Sequence, residues 1–155
     1  MEWFKLELLT YAVNNMTKII ENIHTINNWI QNSNNADFRI NCFNGCQLFL
    51  VGGFDLCYYH EIEILFNSVD KLSMETSFQL GYTKDNSVNP TPFQFTTLPD
   101  DAGVIKVIIT DDSEVEHHIF CGGLDVNIED VGYYETTTGK LLIKCPRSPW
   151  NQEGL

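Results

Sequence analysis

The stretch that decides the fold is residues 58–66, Tyr-Tyr-His-Glu-Ile-Glu-Ile-Leu-Phe. Apolar and charged side chains alternate along it, and a period of two residues is typical of a β-strand. Alternation places Ile62, Ile64 and Phe66 on one face and Glu61 and Glu63 on the other. The pattern therefore predicts a half-buried strand of an antiparallel sheet, with its apolar face toward the core and both glutamates in solvent.

A helix is predicted upstream of this strand, over residues 16–31. Apolar residues recur there at helical spacing and polar residues occupy the other side. The helix would begin at a cap formed by Asn14 or Asn15. Residues 1–13 fit either a strand or a helix. The side chains expected to be buried against the sheet are Ile19, Ile20, Ile23 and Ile26.

The remainder of the chain shows strand patterns separated by turn signals. The Asn44-Gly45 pair predicts a tight hairpin, since both residues tolerate the backbone conformation that such turns require. Further strands are expected over 71–82 and 93–98, with hairpins over 104–121 and 131–145. The predicted fold class is α+β, with one N-terminal amphipathic helix packed on a mostly antiparallel multi-stranded sheet. We expect a single domain over residues 1–145 and a C-terminal tail over 146–155.

Size and charge narrow the classes of partner. A chain of 155 residues is large enough to bury its own core without metal or disulfide support. Its formal net charge is −12, from 21 acidic and 9 basic residues. A surface this acidic repels phosphate backbones and anionic lipids and attracts basic proteins. The sequence therefore predicts a basic protein partner and disfavours nucleic acid and membranes.

The cysteines indicate a reducing compartment. There are five, at positions 42, 46, 57, 121 and 145. An odd number without a Cys-x-x-Cys pair is typical of free thiols in the cytoplasm. Glu2, Lys5 and Glu7 interrupt the N-terminus, which therefore lacks the apolar core of a signal peptide. Cys42 and Cys121 are expected to be buried, in phase with their apolar neighbours.

Catalytic and metal-binding signatures are weak. His60-Glu61 begins like a zinc protease motif, but Ile64 stands where the second histidine is required. We assign no catalytic residue and no cofactor, and the sequence favours a non-enzymatic protein. The alternative is a small-molecule or metal-binding protein, including an enzyme, that uses a cysteine–histidine cluster on neighbouring strands. Its candidate ligands are Cys57, His60, His117, His118 and Cys121.

The surface residues point to protein binding. Outward tyrosines beside acidic side chains suit an interface, because tyrosine combines a large apolar ring with a polar tip. The candidate contacts are Tyr59, Glu61, Glu63 and Tyr133. An amphipathic helix, a long antiparallel sheet, an acidic surface and no catalytic motif together resemble small bacterial proteins, some of them toxin-neutralising immunity proteins. The resemblance implies a non-enzymatic binding role. A homo-oligomeric structural subunit that pairs through its strand edges is a further alternative.

Overall fold

The computed structural model describes residues 2–33, 36–57, 59–83, 85–98 and 101–133. One long helix is followed by strands that pair antiparallel in two sheets. The predicted α+β class is confirmed, with the strands divided between two sheets. The 140–145 strand, Cys145, the boundary at residue 145 and the tail over 146–155 lie outside the described residues.

Helix α1 runs without a break from Glu2 to Ser33. Residues 2–13 of the ambiguous N-terminal range are therefore helical, and the predicted caps at Asn14 and Asn15 are wrong. No proline or glycine occurs in the first 33 residues, so nothing in the backbone chemistry stops the helix. Ile19, Ile23, Ile26 and Ile30 are buried, at spacings of four, three and four residues. Ile20 is 51% exposed, because it lies beside this seam instead of on it.

The first sheet, sheet A, has the strand order β5-β1-β2-β3-β9. The predicted hairpin around Asn44-Gly45 is confirmed, and Gly45 has the positive φ of 88° that glycine tolerates. In β3 the side chains of Ile62, Ile64 and Phe66 are fully buried, as predicted. The strands of sheet A are β1 (Ala36–Phe43), β2 (Leu48–Gly53), β3 (Tyr59–Asn67), β5 (Ser77–Leu80) and β9 (Gly123–Gly132).

The second sheet, sheet B, has the strand order β4-β8-β7-β6. Its hairpin of β7 and β8 confirms the prediction for residues 104–121. The predicted single strand over 71–82 is wrong: it is split into β4 in sheet B and β5 in sheet A. Apolar and polar residues alternate in both β4 and β5. Alternation therefore could not show that the chain passes from one sheet to the other between these strands. The strands of sheet B are β4 (Lys71–Ser73), β6 (Phe93–Leu98), β7 (Asp101–Thr110) and β8 (Glu116–Cys121).

Side chains from the helix and from both sheets form one hydrophobic core. Three asparagines attach the helix to the strands, since each donates to a main-chain carbonyl. Asn15 donates to Gly122, Asn22 to Leu124, and Asn27 to Phe93. Among the described residues, no helix combines the length and apolarity needed to cross a membrane.

Candidate functional site

A buried histidine lies near the start of β3 in sheet A. His60 is 0% exposed, and its Nε2 lies 2.9 Å from Oε1 of Glu63. Its Nδ1 lies 2.8 Å from the hydroxyl of Tyr133. In the neutral imidazole, Nε2–H donates a hydrogen bond to the Glu63 carboxylate, and Nδ1 accepts one from the Tyr133 hydroxyl. The structure thus joins three predicted site residues in one buried network.

Two predicted surface residues are therefore not on the surface. Glu63 is 8% exposed and Tyr133 is 6% exposed, so the prediction that Glu63 faces solvent is wrong. The Glu63 carboxylate is held inside the sheet by a neighbour on its own strand, His60, and by one on the adjacent β9. Besides His60, Asn127 of β9 satisfies it by donating to Oε2 at 3.2 Å. A buried carboxylate needs such partners, and alternation alone cannot reveal them.

The environment of Tyr133 keeps its hydroxyl protonated. Burial raises the pKa of Tyr133 above its ordinary value of 10.0, and the nearby Glu63 carboxylate raises it further. The Arg39 guanidinium acts in the opposite direction and lies 5.8 Å from the centre of the tyrosine ring. A protonated tyrosine is a hydrogen-bond donor and a poor nucleophile. Tyr133 therefore serves the network as a hydrogen-bond donor to His60.

Three acidic residues, one half-buried and two exposed, lie where β3 and β9 lose their regular pairing. His60 pairs with Val131 and Ile62 with Ile128, so β9 contains one extra residue and forms a β-bulge. Glu61 of β3 lies opposite the two bulge residues of β9, Glu129 and Asp130, which are both exposed. We call these three carboxylates, Glu61, Glu129 and Asp130, the acidic bulge.

Aromatic side chains adjoin the acidic bulge. Glu61 accepts a hydrogen bond from the main-chain N–H of Phe54, whose side chain is 70% exposed. Tyr59 is half-buried at the start of β3 and pairs with Gly132. Of the four predicted contact residues, Tyr59 and Glu61 thus retain solvent access. Bulges commonly occur at sheet edges, where they re-aim side chains.

The five candidate metal ligands are distributed over both sheets. His60 belongs to sheet A, whereas His118 and Cys121 belong to sheet B. Cys57 is exposed before β3, and Cys121 is buried in the apolar core. Within the described ranges, no group of three or more His, Cys, Asp or Glu side chains could hold a metal ion.

His117, the remaining candidate, has a structural environment. Its Nε2 lies 2.9 Å from Oδ2 of Asp111, and its Nδ1 accepts from the main-chain N–H of Glu75 at 3.1 Å. Asp111 also accepts from the N–H groups of Ser113 and Val115, which shapes the β7–β8 turn. Both ring nitrogens are therefore occupied by protein groups.

The comparisons with known proteins identify no relative. No protein-family model matches the chain, and no curated protein or solved structure matches it. A functional interpretation therefore depends on the geometry of the chain itself.

Proposed function

We propose that the protein is a non-enzymatic binding protein that covers a basic protein partner, in the manner of a toxin-neutralising immunity protein. The observation that carries the proposal is the acidic bulge, which places three acidic residues at the β3–β9 register shift, where the main chain of the exposed Phe54 bonds Glu61 and the half-buried Tyr59 precedes Glu61 by two residues. Aromatic residues supply most of the binding energy in protein interfaces, and surrounding charges set the association rate.

Two further observations support binding over catalysis. His60 and His117, the two buried histidines of the described chain, are 0% and 1% exposed, and each of their ring nitrogens is held by a protein partner. The net charge of −12 favours a basic protein over nucleic acid. We expect the protein to act in the cytoplasm, since the four cysteines that the structure describes are free thiols.

Charge reversal at the acidic bulge tests the proposal. The partner is first captured from an extract of the source cells on the immobilised wild-type protein, and its association rate is then measured by surface plasmon resonance. Glu129→Lys combined with Asp130→Lys should lower the association rate at low salt by about tenfold or more. Raising the NaCl concentration should weaken the wild-type complex, because salt screens the attraction.

A matched control separates the effect of charge at the acidic bulge from the effect of the total charge on the association rate. Glu21→Lys combined with Glu75→Lys changes the net charge equally, at exposed positions on α1 and between β4 and β5. This control should keep most of the wild-type association rate. Equal losses in both variants would show that total charge alone drives binding, and capture of no basic protein would contradict the proposal.

A further inference from the structure

The acidic bulge lies on the outer strand of sheet A. In the strand order β9 pairs with β3, and no further strand of the described chain stands on its other side. At the beginning of β9, Asn15 and Asn22 of helix α1 donate to the main-chain carbonyls of Gly122 and Leu124. The bulge lies several residues beyond these contacts. Within the described residues, this part of β9 is thus a sheet edge, where another chain segment can pair.

The chain concentrates its positive charge in the segment that follows β9. Residues 140–147, Lys-Leu-Leu-Ile-Lys-Cys-Pro-Arg, contain three basic residues and no acidic one. Residues 1–133 contain six basic residues against 19 acidic ones, a net charge of −13. The segment is therefore opposite in sign to the chain that precedes it, and its charge of +3 matches the three carboxylates of the acidic bulge. Opposite charges attract most strongly where both are concentrated.

The hairpin predicted from the sequence would bring this segment back along β9. A turn at residues 136–139 sets Lys144 opposite position 131 and Arg147 opposite position 128. In an antiparallel pair, a side chain also neighbours the residue two positions from its direct partner, at about 7–8 Å, which long side chains can span. In this register Lys144 is the diagonal neighbour of Glu129, and Arg147 is the diagonal neighbour of Asp130.

The prolines of the segment fit the same register. Proline has no N–H to donate, so within sheets it is confined to outer strands, strand ends and bulges. Pro146 falls opposite Glu129, in the bulge of β9. Pro149 falls opposite position 126, before the part of β9 that α1 contacts at Leu124. The segment and the helix therefore do not compete for the same part of the edge.

We propose that residues 140–147 pair with the edge of β9 and set Lys144 and Arg147 against the acidic bulge, so that the free protein keeps its own binding site closed. The basic partner then has to displace this segment. The displacement rests on the proposed function, whereas the contact within the chain does not. Such a contact reduces the apparent affinity by the fraction of molecules that are open, and thereby discriminates against weakly basic proteins.

Zero-length cross-linking of the full chain tests the contact. A carbodiimide joins a lysine amine to a carboxylate that it touches, and mass spectrometry of the digested protein identifies the joined residues. Lys144 should be joined to a carboxylate of the acidic bulge. The exposed ion pair of Lys18 with Asp125 is the internal positive control. The reaction is carried out on an equal mixture of ¹⁵N-labelled and unlabelled protein, so that links within a chain are distinguished from links between chains.

Two cross-linking results would overturn the contact. One is the absence of a product between Lys144 and the bulge when the product of Lys18 with Asp125 is formed. The other is a Lys144 product that joins a labelled to an unlabelled chain, because the segment would then come from a second copy.

The association rate of the partner, captured as described above, tests the displacement. Lys144→Gln combined with Arg147→Gln should raise this rate at low salt by about fivefold or more, because the bulge is left open. Lys5→Gln combined with Lys71→Gln is the matched control, since it removes the same charge at exposed positions on α1 and β4. The control should change the rate by less than about twofold.

Equal rates in the two variants would overturn the displacement. Circular dichroism should show that the segment variant keeps its fold; if it unfolds, Arg147→Gln alone replaces it and should still raise the rate. Capture of no basic protein would contradict the proposed function and with it the displacement, while cross-linking still decides the contact. The two can therefore fail separately.

Discussion

At the scale of single residues, Gly52 shows how closely the core is packed. A Cβ atom added there would lie 2.6 Å from Cε1 of Phe38 and 2.8 Å from Cγ2 of Ile62. Both side chains belong to neighbouring strands of sheet A and are fully buried, so neither can move into open space. Glycine is therefore required by the approach of the Phe38 ring to β2 and not by the backbone angles.

Gly52→Ala should accordingly destabilise the fold. The added methyl group overpacks the core, and the free energy of unfolding should fall by about 1–3 kcal/mol. Urea denaturation measures this value. Gly132→Ala is the matched control, since a Cβ at that position meets no atom within 4 Å. Equal stability of the two variants would contradict the close contact described for Phe38.

The second residue-scale prediction concerns the Cys121 thiol. Burial raises the pKa of Cys121 from 9.0 to about 11, although a hydrogen bond from the Gly123 main chain opposes the shift. The unfolded chain thus loses this proton at lower pH than the folded one. The shifted pKa of Cys121 contributes on the order of 2 to 3 kcal/mol to the free energy of unfolding. This contribution is complete below pH 9 and is lost as the pH rises through 11.

Comparison with Cys121→Ala isolates this effect from other groups that titrate at high pH. The free energy of unfolding should fall more steeply in the wild type than in the variant between pH 9 and 11. Parallel curves would contradict a shifted pKa.

In native buffer the exposed thiols of Cys46 and Cys57 should react with a thiol reagent first, and Cys121 only after unfolding. Cys42 is half-buried rather than buried as predicted, because a register shift interrupts β1 between Ile40 and Cys42.

At the scale of elements, Asn27 joins the helix to sheet B. Its side-chain nitrogen donates to the Phe93 carbonyl and its oxygen accepts from the Phe93 N–H, both at 2.9 Å. Asn27→Leu fills a similar volume but leaves both main-chain groups unsatisfied. The free energy of unfolding should fall by about 2–4 kcal/mol. Asn28→Leu, at an exposed position, should change it by less than about 0.5 kcal/mol, and similar losses in the two variants would contradict the role of Asn27.

The sequence predicted the local elements well because periodicity reports local burial. The helical spacing of the isoleucines and the alternation in β3 identified the correct buried faces, except at Ile20. Contacts between residues that are distant in the sequence could not be predicted from periodicity. Glu63 belongs to an alternating pattern, so the pattern predicts exposure, but Asn127 of β9 approaches it from 64 positions later. The same holds for Asn27, whose polar side chain gave no sign of its pairing with Phe93.

The candidate site was predictable only in part. Glu61 and Tyr59 were identified by their outward position, and the structure leaves both accessible. Glu129 and Asp130 were missed, since a β-bulge depends on the pairing of β3 with β9 and has no marker in either strand alone.

At the scale of the whole molecule, unbalanced charge opposes folding. A net charge of −12 concentrates repulsion in the compact state, and salt reduces it by shortening the screening length from about 30 Å at 10 mM to about 6 Å at 300 mM. The Tm should therefore rise by several degrees over this range of NaCl concentration. The Glu21→Lys, Glu75→Lys variant has a net charge of −8 and should show a smaller rise. A Tm that falls with salt would show that ion pairs outweigh the repulsion.

The pairing of β3 with β9 has a consequence for biosynthesis. Phe66 of β3 pairs with Leu124 of β9, 58 residues later. A ribosome adds about 5–20 residues per second, so β3 waits for its neighbour for about 3–12 s. During this interval the nascent chain presents the unpaired edge of β3. Such an edge binds other extended chains. The newly made polypeptide is thus most prone to aggregate just before its ninth strand emerges, and a chaperone that holds extended apolar segments would act in that interval.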